Sequence, residues 1–165
     1  MTGERSTILT DSNYPDGVVV LGGMGVNISS KELAGAVAAT GSIATLSETG
    51  GAYRLARTLR DGDPGGHIRE SLEGFPNQAM VEFVLERYFM EDGAQTKTEG
   101  LRYRPVPAYR LENQNVRGLG VPEVEMLTVL DAYEQVKTAR RIAGDKGIIG
   151  MNGLSKIPLP TPAAL

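Results

Sequence analysis

Val18-Val19-Val20-Leu21 runs straight into Gly22-Gly23-Met24-Gly25, and this junction restricts the fold more than any other stretch of the chain. Four apolar residues in a row, three of them β-branched, describe a strand buried on both faces, as in a parallel sheet. Glycines directly after such a strand form a tight turn in which the backbone can approach a partner closely. A helix start follows: Ser29 stands as N-cap with Glu32 three residues on, a capping box. Leu33, Ala36, Val37 and Thr40 then recur at helical spacing, and Gly41 occupies the position just past the helix end. Ile43-Ala44-Thr45-Leu46 is a second short strand. Strand, glycine loop, capped helix and strand make a βαβ unit over residues 17–47, so an α/β fold with parallel strands is expected.

Residues 51–120 read as a mainly helical insertion. Tyr53, Leu55, Ala56 and Leu59 mark one helix, stopped by Asp61-Gly62. Asp63-Pro64 is an N-cap followed by proline at the first helical position, with Ile68, Ser71 and Leu72 continuing to Gly74. Met80, Phe83, Val84 and Tyr88 mark a third helix from near Pro76, and Phe83, Tyr88 and Phe89 read as core or semi-core. Periodicity is lost over 91–120, apart from an extended piece at 106–111. The last folded part, residues 121–153, is a long helix and a third strand. Val121-Pro122 opens the helix, whose inward face is expected at Val124, Leu127, Leu130, Val136 and Ile142, with a stop at Gly144. Arg140, Arg141 and Lys146 complement the dipole at its end. The strand, Ile148-Ile149-Gly150-Met151, runs into Asn152-Gly153, and residues 154–165 carry three prolines and no period.

Composition narrows the chemistry. The chain has 165 residues, in the range of one domain, and 21 glycines. It has no cysteine, which excludes disulfides, thiolate catalysis and Cys-ligated metal, and its one histidine, His67, argues against a multi-His metal site. A net charge of −3 gives no reason to expect a nucleic-acid or anionic-membrane partner. No apolar run approaches the ~18 residues of a membrane span, and MTGERSTILT lacks the apolar core of a signal peptide. A cytoplasmic protein without a metal is expected.

Two features point to ligand chemistry. Gly22, Gly23, Met24 and Gly25 lie at the carboxyl end of the first strand, the edge at which α/β folds bind ligands. They form neither a Walker A loop nor a G-x-G-x-x-G fingerprint, because position 28 is Ile. A tight βα turn with no ligand explains the glycines equally well. Asn152 ends the third strand, and its amide offers a donor and an acceptor; it also suits a simple turn before Gly153. Asp61 and Asp63 read as turn and cap residues rather than as a catalytic carboxylate pair.

Residues 19–38 (VVLGGMGVNISSKELAGAVA) and 41–47 (GSIATLS) resemble the opening of the nitronate monooxygenase family, the 2-nitropropane dioxygenase-like proteins, which share their fold with flavin-type enoyl-ACP reductases. Residues 59–69 (LRDGDPGGHIR) resemble an insertion of one branch of that family, and residues 149–161 (IGMNGLSKIPLPT) resemble its third strand and the loop after it. The resemblance implies a (β/α)8 TIM barrel with FMN at the carboxyl ends of its strands. It places the Gly22, Gly23, Met24 and Gly25 loop against the flavin ring and the Asn152 amide in contact with it. The implied reaction oxidises a nitronate to a carbonyl compound and nitrite. The alternatives are an enoyl-ACP or polyketide enoyl reductase acting on an enoyl thioester, or a non-catalytic fragment.

This chain also departs from that pattern. The family's catalytic histidine stands on a later strand; Pro64-Gly65-Gly66-His67 imitates its motif in the wrong place, so His67 is expected to be a first-turn residue of a surface helix and no catalytic residue is assigned. The glycine-rich phosphate site expected after late strands has no counterpart. A complete barrel takes about 250 residues, so the chain is expected to be an N-terminal portion with about three strands and unpaired edges. Self-association, or a complementing chain that supplies the remaining strands, follows as an expectation.

Overall fold

The computed structural model describes residues 19–93 and 123–153. The order is β1 (Val20–Leu21), α1 (Lys31–Ala39), β2 (Ile43–Ser47), α2 (Gly51–Arg60), a 3-10 turn (Pro64–Gly66), α3 (His67–Leu72), α4 (Gln78–Tyr88), α5 (Glu123–Ala143) and β3 (Ile148–Asn152). This is an α/β fold with a small parallel sheet of three strands in the order β1-β2-β3. The register aligns Val20, Ile43 and Ile148 across the sheet, then Leu21, Ala44 and Ile149. Val18, the extended piece at 106–111, Val121-Pro122 and the proline-bearing segment 154–165 lie outside the described residues. Among the described residues no helix is long and apolar enough to cross a membrane.

Side-chain alternation divides the sheet into two unlike faces. Leu21, Ala44, Leu46, Ile149 and Met151 pack on Ala34 and Ala38 of α1 and on Ala139 and Ala143 of α5. Alanine dominates this layer, so the two helices lie close to the strands. Val20 and Ile148 face the other way and stay 60% and 40% exposed. The continuous apolar run at 18–21 predicts burial on both faces, and the described structure covers one.

A second apolar core lies within the helices. Leu55, Leu59, Ile68, Leu72, Phe83, Val84, Tyr88, Leu127 and Leu130 form one cluster spanning α2 to α5. Phe83 and Tyr88 are buried as expected, while Phe89 is half-buried under the Arg69 guanidinium, 4.2 Å from its ring centre. The Tyr88 hydroxyl donates to Glu123 Oε1 at 2.6 Å, and that carboxylate also pairs with Arg87.

Two helix starts differ from the sequence pattern in an instructive way. Ser30, not Ser29, caps α1: its Oγ accepts from the Leu33 N–H at 3.3 Å, and Gly41 takes the left-handed conformation past the helix end. The doublet Ser29-Ser30 offers two hydroxyls one residue apart, and the chain uses the first elsewhere. Asp63 caps as expected, but from a distance. It reaches over Pro64–Gly66 to accept from the Ile68 and Arg69 N–H groups at 3.0 and 3.1 Å and from Arg69 Nε at 3.2 Å. The third helix begins at Gln78 behind an Asn77 cap, two residues after Pro76.

The largest correction concerns α5. Its first half follows the apolar period, with Val124, Leu127 and Leu130 buried. Val136 and Ile142, expected inside, are 41% and 42% exposed, and the buried stripe runs instead through Asp131, Glu134, Gln135 and Thr138. Helical geometry places 131, 134, 135 and 138 on one face. That face turns inward because α1 and α2 supply its charge partners. At the far end Arg140 donates to the carbonyls of Gly144 and Lys146 at 3.3 and 3.0 Å, closing the helix as its position predicts.

Candidate functional site at the carboxyl edge of the sheet

Parallel strands bring the three loops that leave their carboxyl ends to one edge. The residues singled out there by sequence, Gly22, Gly23, Met24, Gly25 and Asn152, do meet. Asn152 Nδ2 donates to the Gly23 carbonyl at 3.1 Å, joining the first loop to the end of β3 across 129 residues of chain. The approach is tight: a Cβ on Gly23 would lie 2.6 Å from Asn152 Cβ and 2.9 Å from the Leu46 carbonyl oxygen. A Cβ on Gly25 would lie 2.7 Å from Thr49 Cβ. Both positions therefore need glycine for packing within the chain. Gly22 differs: a Cβ there meets nothing within 4 Å among the described residues.

The loop has a buried organiser. Ser29, 1% exposed, donates its hydroxyl to the Gly22 carbonyl at 2.6 Å and accepts the Met24 N–H at 3.0 Å. Its backbone N–H donates to the Met24 carbonyl at 3.1 Å, and its carbonyl accepts from the Ser47 N–H at the end of β2 at 3.4 Å. Beyond the glycines, Met24, Val26 and Ile28 project from the loop with more than half of their surface exposed, and Asn27 adopts a left-handed conformation, which asparagine tolerates better than most residues.

The loop after β2 closes the edge from the other side. Glu48 donates its backbone N–H to the Asn152 carbonyl at 3.2 Å, Thr49 packs on Gly25, and Val26 packs on Gly50. Burial pushes the Glu48 carboxyl above the usual carboxylate range, and the negative charge of Asp131 adds to that.

Asp131 belongs to a buried charge cluster beneath this loop. Arg54 of α2 pairs with both Asp131 and Glu134 of α5, and Lys31 of α1 also pairs with Glu134. Gln135 Nε2 donates to Asp131 Oδ2 at 2.6 Å. The first turn of α2 lies so near that a Cβ on Gly51 would sit 2.6 Å from Asp131 Oδ2. Burial raises the Asp131 pKa to about 6 despite Arg54. Burial works against the Arg54 charge as well, but the attraction of Asp131 and Glu134 outweighs it and holds the guanidinium above its ordinary value. Sequence reasoning missed this cluster. Lys31 and Arg54 stand 103 and 80 residues from Glu134 along the chain, and nothing within α5 alone announces them.

His67 begins α3 and is exposed, its Nδ1 4.0 Å from Glu70 Oε2. It takes the first-turn surface position expected for it. Asp61 is exposed and sits 3.8 Å from Arg57 Nε. Neither residue joins the Gly22 and Asn152 contacts.

No protein-family model, curated protein or solved structure matches the chain.

Proposed function

We propose that the Gly22–Asn152 edge holds the ring of FMN, and that the chain is part of a flavin-dependent oxidoreductase of the nitronate monooxygenase kind. The sheet would then be the first three strands of a (β/α)8 barrel and its open face part of the barrel interior. Sequential strand order, with helices packed on one sheet face among the described residues, favours this reading, since a doubly wound sheet carries helices on both. The resemblance of residues 19–47 and 149–161 supplies the identity of the ligand. The observation that supports its place is Gly22, the one glycine of the loop whose lack of a side chain no contact among the described residues explains. Bare backbone beside an asparagine amide suits the flat, mixed donor and acceptor edge of an isoalloxazine.

The fit covers the ring and not the phosphate. Residues 22–30, 43–50 and 148–153, which form this edge, contain no lysine or arginine. FMN is therefore expected to bind reversibly and to be lost during purification rather than retained one to one. When bound, FMN would take electrons from a nitronate and pass them to oxygen, releasing a carbonyl compound and nitrite. The chain's own part is to present the ring edge with its loop and with Asn152. No side chain of the described edge is assigned as catalytic base, so turnover depends on residues beyond that edge that complete the wall opposite Val20 and Ile148.

Titrating FMN into the purified protein while following flavin fluorescence tests this. Saturable quenching that weakens on Asn152→Ala is expected. Flavin fluorescence unchanged by a large excess of protein would overturn the reading. Supplying propane-2-nitronate or an enoyl thioester with NADPH to the flavin-loaded protein separates the two chemistries: nitrite release supports the first, NADPH oxidation the enoyl reductase alternative.

A further inference from the structure

The hydrogen bonds of the glycine loop sort its polar groups into two kinds. Three consecutive carbonyls are satisfied inside the protein: Gly22 by the Ser29 hydroxyl, Gly23 by the Asn152 amide, and Met24 by the Ser29 N–H. The Met24 N–H is satisfied too, by Ser29 Oγ. The N–H groups of Gly23 and Gly25 meet no acceptor among the described residues. Between Gly22 and Met24 the loop turns its acceptors into the protein and leaves the Gly23 N–H as a donor toward a ligand, with the Gly25 N–H beside it, whereas the carbonyls of residues 25–28 take no donor among the described residues.

We infer that Ser29 is a positioning residue that fixes this polarity, and that the edge therefore selects a ligand presenting hydrogen-bond acceptors, a carbonyl oxygen, ring nitrogen or anionic oxygen, to the Gly23 and Gly25 N–H groups. This rests on the same site as the flavin reading and deepens it by assigning the polarity of the contact. Ser29 suits the task because it is buried, so its hydroxyl has no water to exchange partners with, and because one oxygen can accept and donate at once. Ser30 is its natural comparison. It stands one residue away, carries the same group, caps α1 through the Leu33 N–H and makes none of the loop contacts.

Amide hydrogen exchange tests the positioning role without any ligand. In the wild-type protein the Met24 amide exchanges slowly although it lies in a loop, while those of Gly23 and Gly25 exchange fast. Ser29→Ala speeds Met24 exchange about tenfold, the loss of roughly one buried hydrogen bond, and leaves Leu33 protected; Ser30→Ala does the reverse. A fast Met24 amide in the wild type, or equal Met24 protection in both variants, overturns the inference. Ser29→Thr, which keeps the hydroxyl, restores Met24 protection.

Nitrogen–proton spectra during titration with FMN, propane-2-nitronate and inorganic phosphate test the acceptor preference. Movement of the Gly23 and Gly25 amide signals with one or more of these probes, diminished in Ser29→Ala and not in Ser30→Ala, supports it. Silence of both signals with all three probes overturns it. Movement with nitronate or phosphate but not with FMN leaves this inference standing and removes the flavin reading.

Discussion

The helical body and the sheet layer are built to different standards, and the difference separates what holds the chain together from what it offers to a ligand. Around α2 to α5, leucines, phenylalanines and a tyrosine fill a core whose central side chains have no exposed surface. The sheet layer instead joins alanines to three short strands and leaves one face with Val20 and Ile148 in contact with solvent. Large apolar groups bury the most area and contribute the most to stability, so the helical body carries the fold. The sheet carries the loops at its carboxyl edge, and its open face is where a ligand or a further wall can approach.

The largest expected contrast is therefore between Leu127→Ala and Val20→Ala. The first empties a fully buried site in the helical core and should cost about 2–5 kcal/mol in denaturant unfolding. The second removes methyl groups already in water and should stay within about 0.5 kcal/mol. Equal losses would mean that the open face is packed in solution and would erase the distinction between the regions.

Glu134→Ala is the next test, because it acts where the two regions join. It leaves Lys31 and Arg54 facing each other without their shared carboxylate and should cost about 3 kcal/mol. A loss below about 0.5 kcal/mol would show that the cluster contributes little to holding α1 and α2 on α5.

The same cluster should make stability depend on pH. The Asp131 pKa stands at about 6 in the fold, with burial the first cause, against ~3.9 in an unfolded chain. A carboxyl raised on folding contributes stability that is complete below the unfolded pKa and is lost as pH rises through the folded one. Glu48 is raised by burial and by Asp131 and acts in the same direction. Unfolding free energies between about pH 4 and pH 7 should fall by about 2–3 kcal/mol more in the wild type than in Asp131→Asn. Parallel profiles for the two proteins would remove Asp131 as the cause.

The smallest effects come from the glycine loop and sharpen the comparison most. Gly23→Ala must displace Asn152 or the Leu46 carbonyl and should cost about 1–3 kcal/mol. Gly22→Ala meets nothing among the described residues and should cost under about 0.5 kcal/mol. Similar losses at both positions, measured by denaturant unfolding, would mean that the open space at Gly22 is filled in solution.

Much of this fold is legible in the residues because it is local. The strand at 43–46, the stops at Gly41 and Gly144 and the meeting of the glycine loop with Asn152 follow from short patterns and from the geometry of parallel strands. What escaped was set by partners distant in sequence. The apolar period of α5 pointed to Val136 and Ile142, but Arg54 and Lys31 turn Asp131 and Glu134 inward. The capping box Ser29…Glu32 pointed to Ser29, but the folded glycine loop claims that hydroxyl and leaves the cap to Ser30. Thr49 and Glu48 carried no signal of their own; their place follows from β2 ending beside Asn152.

Gly22 is the bare position proposed to meet the ligand, and Gly22→Val measures that directly. Its unfolding free energy and its FMN affinity should be determined side by side with the wild type. The flavin proposal predicts FMN affinity reduced about tenfold or more in a stably folded Gly22→Val protein, a loss of roughly 1.4 kcal/mol of binding. Unchanged FMN affinity in a stably folded Gly22→Val protein would contradict it.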